Sequence, residues 1–421
     1  MKLLLLNSVD TQGGAARAAY RLHKALLDLG ISSQMLVQRR LGQDPTVHGP
    51  CSKLDRALSL IRPYLDRLPL RLYNKKSGKP LFCPAWLPDF NLRAIKRIDP
   101  DIVHLHWICD GFLRIETIRR LKTPVVWTLH DMWPFTGGCH YDSGCGRYES
   151  SCGPCPKLGT ETQKDLSHWI WKRKEKAFKT LNLTVVAPSR WLGACALRSS
   201  LFRKKRIEVI PNGLDLNTFR PVDKLEARKI LGLPTEKRLI LFGAEAATQD
   251  RRKGVHILFP ALEHLATTSA RKDMELMVFG AFGPPETNPE PGMKSHYLGR
   301  FHDDISLCLL YSAADVFVAP SMQENLSNTV MEAMACGTPC VAFEIGGMPD
   351  LIDQTKNGYL AKPFSKTDLS AGIKWILNYP EPYRLCDSAR KKAERCFNVH
   401  ATAKKYIALY SELLGNVNPK G

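Results

Sequence analysis

At 421 residues with 44% hydrophobic content, the chain exceeds one ordinary hydrophobic core and suits two domains of about 200 residues each. Its 60 Lys and Arg against 41 Asp and Glu leave a net charge of +19, which favours an anionic partner such as a nucleotide, an anionic lipid surface or nucleic acid. No stretch approaches the roughly 20 apolar residues of a membrane span, and the run Leu3 to Leu6 stops at Asn7 without a small-residue cleavage site, so it reads as a first buried strand rather than a signal peptide. A cytoplasmic protein is expected, with its 13 cysteines free, buried or metal-bound.

In chain order, that first strand enters the loop Asn7 to Gly14, and Ala15 to Leu29 follows at helical spacing up to Gly30. Gly13 and Gly14 allow close backbone approach to a phosphate at a helix mouth; a plain βα turn is the other reading, since neither G-x-G-x-x-G nor a Walker pattern is present. Residues Lys53 to Lys79 interleave Leu and Ile with Arg at three- and four-residue intervals, as in a basic amphipathic segment on anionic membrane or a surface helix pair with its leucines turned to the core. Pro63 and Pro69 are expected to break any single long helix there. Asp99-Pro100-Asp101 reads as a strand entrance rather than a metal-binding D-x-D, and His104 and His106 after it share one face as packed histidines. A strand Val125 to Leu129 then delivers His130 to its carboxyl end, where an imidazole can donate to a hydroxyl or pyrophosphate oxygen.

The insert 137–159 holds Cys139, Cys145, Cys152 and Cys155, four cysteines in 17 residues among turn-forming Gly, Ser and Pro. Four thiolates around one structural Zn²⁺ would order such a loop, with His140 an alternative to Cys139. A redox pair at Cys152 and Cys155, or four free thiols, are the competing readings. Further strands are expected at Thr184 to Pro188, where Ser189 caps the next helix, at Ile207 to Asp215 with its exit turn, and at Leu239 to Gly243. Arg251-Arg252-Lys253-Gly254 opens the next helix; cations oppose the dipole there, so a plain exposed basic helix start is disfavoured. Met274 to Gly280 and Tyr297 to Gly299 read as strands, and Asn357 to Leu360 as a turn.

The most informative stretch is Pro320 to Gly347, after the buried strand Asp315 to Ala319. Glu324 falls on the loop at that strand's carboxyl end and Glu332, eight positions on, falls within the helix Thr329 to Ala335. A phosphate at the helix mouth would leave one carboxylate on each side to accept hydroxyl hydrogen bonds. Ser321, Glu324 and the run Glu332-Ala333-Met334-Ala335-Cys336-Gly337-Thr338-Pro339 resemble the donor-binding motif of the family 4 glycosyltransferases. The departures are Asn325-Leu326-Ser327-Asn328 in place of a common Gly-Phe-Gly, and Ala244 where many members carry Arg, a charge that Arg252 or the equally near Arg251 replaces. The stretch from Thr128 to Asp131 with the cysteine-rich loop after it is similar to the bacterial exopolysaccharide transferases of colanic acid type.

This resemblance implies an α/β, GT-B fold of two Rossmann-like lobes whose parallel sheets face each other across a donor-binding cleft. It places an acceptor-binding lobe over residues 1–219, a nucleotide-sugar lobe over 220–395, and a helix 396–421 returning to the first lobe. It implies retaining, metal-independent transfer of a hexose from a nucleotide sugar to a glycan or lipid-linked acceptor in cell-surface polysaccharide biosynthesis. Glu332 would hold the ribose hydroxyls and Glu324 the sugar hydroxyls; Gly13, Gly14, Asn325, Leu326, Ser327, Arg252 and Lys253 would lie at the donor, and His130 beside its sugar. The basic N-terminal lobe would dock at the inner face of the plasma membrane. A nucleotide-sugar 2-epimerase on the same plan and a basic nucleic-acid-binding protein are the alternatives; no nucleic-acid motif is present, and no nucleic-acid partner is expected.

Overall fold

The computed structural model describes residues 1–73, 82–243, 248–268, 273–284, 292–301 and 303–415. It divides into two compact units, Met1–Pro211 with the terminal helix from His400, and Asn212–Val399.

The first unit is built on seven parallel strands: β1 (Lys2–Val9), β2 (Ser32–Arg39), β3 (Val47–His48), β4 (Ile102–Leu105), β5 (Val125–Thr128), β6 (Leu183–Ala187) and β7 (Arg206–Val209). They lie in the order β3-β2-β1-β4-β5-β6-β7. Leu3 to Leu6 are all 0% exposed, because a parallel sheet is covered on both faces and its central strand needs a continuous apolar run rather than an alternating one. The order reverses between β1 and β4, and the crevice at the carboxyl ends there is where such sheets bind ligands.

The second unit repeats the plan with β8 (Arg238–Gly243), β9 (Met274–Phe279), β10 (Ser295–Tyr297), β11 (Val316–Ala319), β12 (Cys340–Phe343) and β13 (Gly358–Ala361), ordered β10-β9-β8-β11-β12-β13. Its reversal falls between β8 and β11, which places the Pro320 loop at the switch point. Residues 357–360, expected as a turn, instead enter β13, where Tyr359 and Leu360 pair with Val341 and Ala342.

The units part at Pro211 rather than at 219, because Leu214, Leu216 and Phe219 are buried in the second unit's core and Leu214 N–H donates to Phe397 O at 2.7 Å. The second unit likewise runs to Val399 rather than 395, since Val399 N–H returns to Leu214 O at 3.0 Å.

The basic segment begins as the helix Lys53–Asp66, started by a capping box between Ser52 and Asp55. Pro63 lies inside this helix instead of ending it, and Pro69 falls in the following 3-10 turn Leu68–Leu72. Only Ser59 and Asp66 of the helix are buried, whereas Leu54, Leu58, Ile61 and Tyr64 are 69, 46, 49 and 75% exposed. The inward face is held by polar contacts: the Asp66 carboxylate accepts from the Ala85 and Trp86 amides at 3.2 Å, and Arg62 donates to Gly111 O and Pro88 O at 2.7 Å. The leucines of this helix are therefore not turned to the core and its apolar face looks outward, whereas Leu70 in the turn after it joins the core. Residues 74–79 of the segment lie outside the described residues. Among the described residues no helix is long and apolar enough to cross a membrane.

Candidate active site

In the second unit three loops are tied together at the carboxyl edge of the sheet. After β8 the chain makes a 3-10 turn, Arg251–Lys253, capped by Asp250, whose carboxylate accepts from the Arg252 amide at 2.9 Å. Gly254 follows with φ +80°, and a Cβ there would lie 1.8 Å from Pro320 O, so only glycine lets the turn approach the loop after β11. The approach is closed by Met322 N–H donating to Arg252 O at 2.7 Å. On the other side Gly347 N–H donates to Glu324 O at 3.3 Å, and Gly346, φ +52°, passes Glu324 O where a Cβ would sit at 1.9 Å.

This stitching sets Lys253 Nζ 3.1 Å from Glu324 Oε2, with both side chains partly buried. Arg252 is gripped by Asp250 through Nε at 3.1 Å and an NH2 at 2.5 Å. Asp250 is not among the residues the sequence marks as the site, although an Asp directly before a turn is a familiar capping pattern. Arg251 is exposed, whereas the Arg252 side chain is held by Asp250 and its carbonyl takes the Met322 amide. Ala244 lies outside the described residues. Asn325, Leu326 and Ser327 are buried, and Ser327 Oγ accepts from the Val330 amide as cap of the helix Asn328–Ala335. Glu332, one turn in, is 2% exposed and accepts from the Tyr311 hydroxyl at 3.0 Å. Tyr311 had no sequence signal; its ring reaches Glu332 only because helices distant in sequence pack side by side.

In the first unit Gly13, φ 91°, is the N-cap of the helix Gly14–Asp28. The loop before it is fixed by Asp10, whose carboxylate accepts from the Leu41 amide at 3.0 Å and the Gly42 amide at 2.8 Å. His130 stands past the end of β5, its Nε2 3.0 Å from His106 Nδ1. His106 Nε2 is buried with no hydrogen-bond partner among the described residues. One ring donates and the other accepts in this contact. Desolvation pushes the His130 pKa down to about 4 against the opposing pull of Asp131, which keeps the ring neutral at pH 7. The neighbouring His104 bridges Tyr410 of the helix Val399–Gly415 at 2.7 Å and Thr128 at 2.8 Å, and Thr128 meets Tyr406 at 2.7 Å. The sequence pattern marked His104 and His106 only as packed; the contact of His106 with His130 emerges from the register of β4 against β5.

The cysteine insert packs against the first unit's core. Among the described residues no three His, Cys, Asp or Glu side chains converge as a metal site, and one structural zinc on Cys139, Cys145, Cys152 and Cys155 stands as a proposal for elemental analysis. Cys152 Sγ accepts from the Gly137 amide at 3.2 Å, and His140 is taken by Asp131, Nδ1 to Oδ2 2.6 Å. Burial pushes the Cys152 thiol up to about 12 and raises Cys139 and Cys155 as well, which disfavours thiolates. Packing orders the loop: Phe135, Tyr148 and Leu158 join the core, and the buried Lys174 ammonium donates to Trp133 O and Thr136 O while lying 3.7 Å over the Trp133 ring. Burial pushes the Asp131 carboxyl up, but His140 with the Trp133 amide and Trp107 indole outweighs it and holds the carboxyl below its usual range.

The description "Glycosyltransferase Family 4" matches residues 12–218, and "Glycosyl transferases group 1" matches residues 236–379. The chain belongs to the family 4 glycosyltransferases. It is 24% identical over 361 residues to WcaC of Escherichia coli K12, named for colanic acid biosynthesis, covering 81% of this chain and 83% of that one. A D-inositol 3-phosphate glycosyltransferase of Segniliparus rotundus is 30% identical over 219 residues, 50% of this chain and 48% of that one. The chain thus spans about half the length of this and similar relatives. Among solved structures, Anabaena HepE in complex with UDP-glucose superposes with a TM-score of 0.63 at 18% identity, over 98% of this family 4 chain and 100% of that one, and shares its GT-B fold. Neither family match is to an epimerase or a nucleic-acid-binding family.

Proposed function

We propose that this protein transfers a hexose from a nucleotide sugar, with retention at the anomeric carbon, to a glycan or lipid-linked acceptor in cell-surface polysaccharide biosynthesis. The observation that carries the reading is the Lys253–Glu324 pair at the switch point of the second sheet. A cation and a carboxylate 3.1 Å apart serve the two ends of a sugar diphosphate: Glu324 accepts from sugar hydroxyls, and Lys253 turns to the diphosphate as charge builds on the leaving oxygen. Arg252, oriented by Asp250, adds a second cation in the role a metal takes in other transferases. Glu332, one turn into its helix, takes the ribose hydroxyls, and neutral His130 offers a ring N–H near the sugar.

The outward apolar face of the helix Lys53–Asp66, flanked by Lys53, Arg56, Arg67 and Arg71, suits docking on the anionic cytoplasmic face of a membrane. A thermal-unfolding screen of nucleotide sugars tests the donor assignment: one class should raise the melting temperature, because a ligand that binds only the folded state stabilises it. A flat response to every nucleotide sugar would overturn the reading. Sugar release that proceeds without an acceptor would instead favour the 2-epimerase.

A further inference from the structure

Two helices of the second unit meet at the Glu332 carboxylate, and a pair of thiols lies between them. Cys308 belongs to the helix Asp304–Ala313, three residues before Tyr311, and Cys336 is the C-cap of the helix Asn328–Ala335, four residues after Glu332. Each spacing is about one helical turn, so the Cys308–Cys336 contact and the Tyr311–Glu332 hydrogen bond are successive rungs between the same two helices. The sulfurs are 3.8 Å apart, the Cys336 thiol donating to Cys308, and the Cys308 thiol donates in turn to Arg220 O at 3.1 Å. A third tie, Thr338 Oγ1 donating to Tyr311 O at 2.7 Å, fastens the turn after Cys336 to the first helix. Both cysteines are 4% exposed, but their cover is a surface segment: Arg220 is exposed, and Pro221 stands 3.4 Å from where a Gly337 Cβ would be. The hydrogen bond from Cys336 holds the Cys308 thiol down to about 6 against the opposing effect of burial, whereas burial pushes Cys336, Cys340 and Cys386 up.

We infer that Cys308 and Cys336 are a reversible modification site, closed to a disulfide by hydrogen peroxide, and that closing it displaces the helix that carries Glu332. The chemistry runs in two balanced steps. The Cys308 sulfur attacks one peroxide oxygen, the O–O bond breaks, and the departing hydroxide leaves with the thiol proton as water. The Cys336 sulfur then displaces the sulfenic hydroxyl, which departs with the Cys336 proton as a second water. Two thiols are oxidised to one disulfide, and one hydrogen peroxide is reduced to two waters. A disulfide holds its sulfurs at about 2.05 Å, so closing this one draws them about 1.7 Å together. The helices share the Tyr311 and Thr338 ties, so that approach shifts the hydroxyl that orients Glu332. The effect on donor binding rests on the reading above, which gives Glu332 the ribose hydroxyls.

The test treats the full chain with hydrogen peroxide, blocks the remaining thiols and maps unreduced peptides by mass spectrometry. A peptide pair joining Cys308 to Cys336 should appear, separate with dithiothreitol, and be missing from Cys308→Ser. Amide hydrogen exchange over residues 328–336 should change at least threefold on oxidation and return on reduction. Whichever of UDP-glucose, GDP-mannose and ADP-glucose protects the reduced chain against thermal unfolding should bind the oxidised chain at least fivefold more weakly. Cys308→Ser should keep its donor affinity after peroxide. Cross-links confined to Cys340, Cys386 or the cysteines of the insert 137–159, or none at all, would overturn the site. A Cys308–Cys336 cross-link that leaves exchange over 328–336 unchanged would overturn the coupling to Glu332. Absent protection of the reduced chain by all three sugars, with the cross-link and the exchange change both present, would fault the donor reading alone.

Discussion

Lys253 Nζ and Glu324 Oε2 lie 3.1 Å apart across 71 positions of sequence, joined by a backbone bond from Met322 to Arg252 that brings their loops together. With 26 and 16% of the two side chains exposed, the pair is only partly screened by water, so each partner fixes the other's direction.

Removing the cation separates its two candidate duties. Lys253→Ala should lower kcat on the order of 100-fold with a small change in KM if the ammonium acts on charge that develops as the bond breaks. Steady-state kinetics with the donor decide this. A raised KM at normal kcat would reassign Lys253 to uniform donor binding.

Glu332 and Tyr311 form a buried pair at 3.0 Å, so the hydroxyl sets where the carboxylate points. Glu332→Ala should cost about 1–3 kcal/mol of donor affinity by leaving ribose hydroxyls unpaired. Tyr311→Phe should weaken the donor less, through loss of orientation. Calorimetry that shows unchanged affinity in Glu332→Ala would remove the ribose role.

Gly254→Ala forces a left-handed φ of +80° and a Cβ 1.8 Å from Pro320 O, so the turn carrying Lys253 must move. A loss of about 2 kcal/mol or more, with activity falling alongside, is expected in denaturant unfolding. Gly232→Ala, φ +64° but with open space around its Cβ, is the control and should cost less and spare activity.

Stability should fall on mild acidification. Burial pushes the pKa of His23 down to about 4 and of His104 down to about 3, from 6.5. Below about pH 6.5 the unfolded chain therefore binds protons that the folded chain does not, so this stability is fully present above 6.5 and is lost as pH drops towards 4 and then 3. The melting temperature should drop by roughly several degrees from pH 7.5 to 5. A flat profile would show that both rings accept protons in the folded state.

If the insert is ordered by its own core and by Lys174 alone, protein purified without chelator should contain well under one zinc per chain. Elemental analysis returning one zinc, lost in Cys152→Ser, would assign the four cysteines to the metal.

The sequence by itself determined the strands that are apolar without interruption, such as Leu3 to Leu6 and Val316 to Ala319, because parallel sheets buried on both faces demand that pattern. It also determined the glycines at forced turns and the position of Glu324, Glu332 and Lys253 at strand and helix ends, since these are local consequences of chain geometry. Short, half-polar edge elements such as β3 and β13 carry no such period, and they exist only because a neighbouring strand offers its hydrogen bonds. Which partner each site residue meets was decided by tertiary structure alone. Asp250 with Arg252 is a local turn, but Tyr311 with Glu332, His106 with His130 and Asp131 with His140 depend on packing register, which no spacing along the chain encodes. The same holds for the basic helix: its period fixed an apolar stripe, and only the polar anchors at Asp66 and Arg62, contacting residues far along the chain, turned that stripe to the outside.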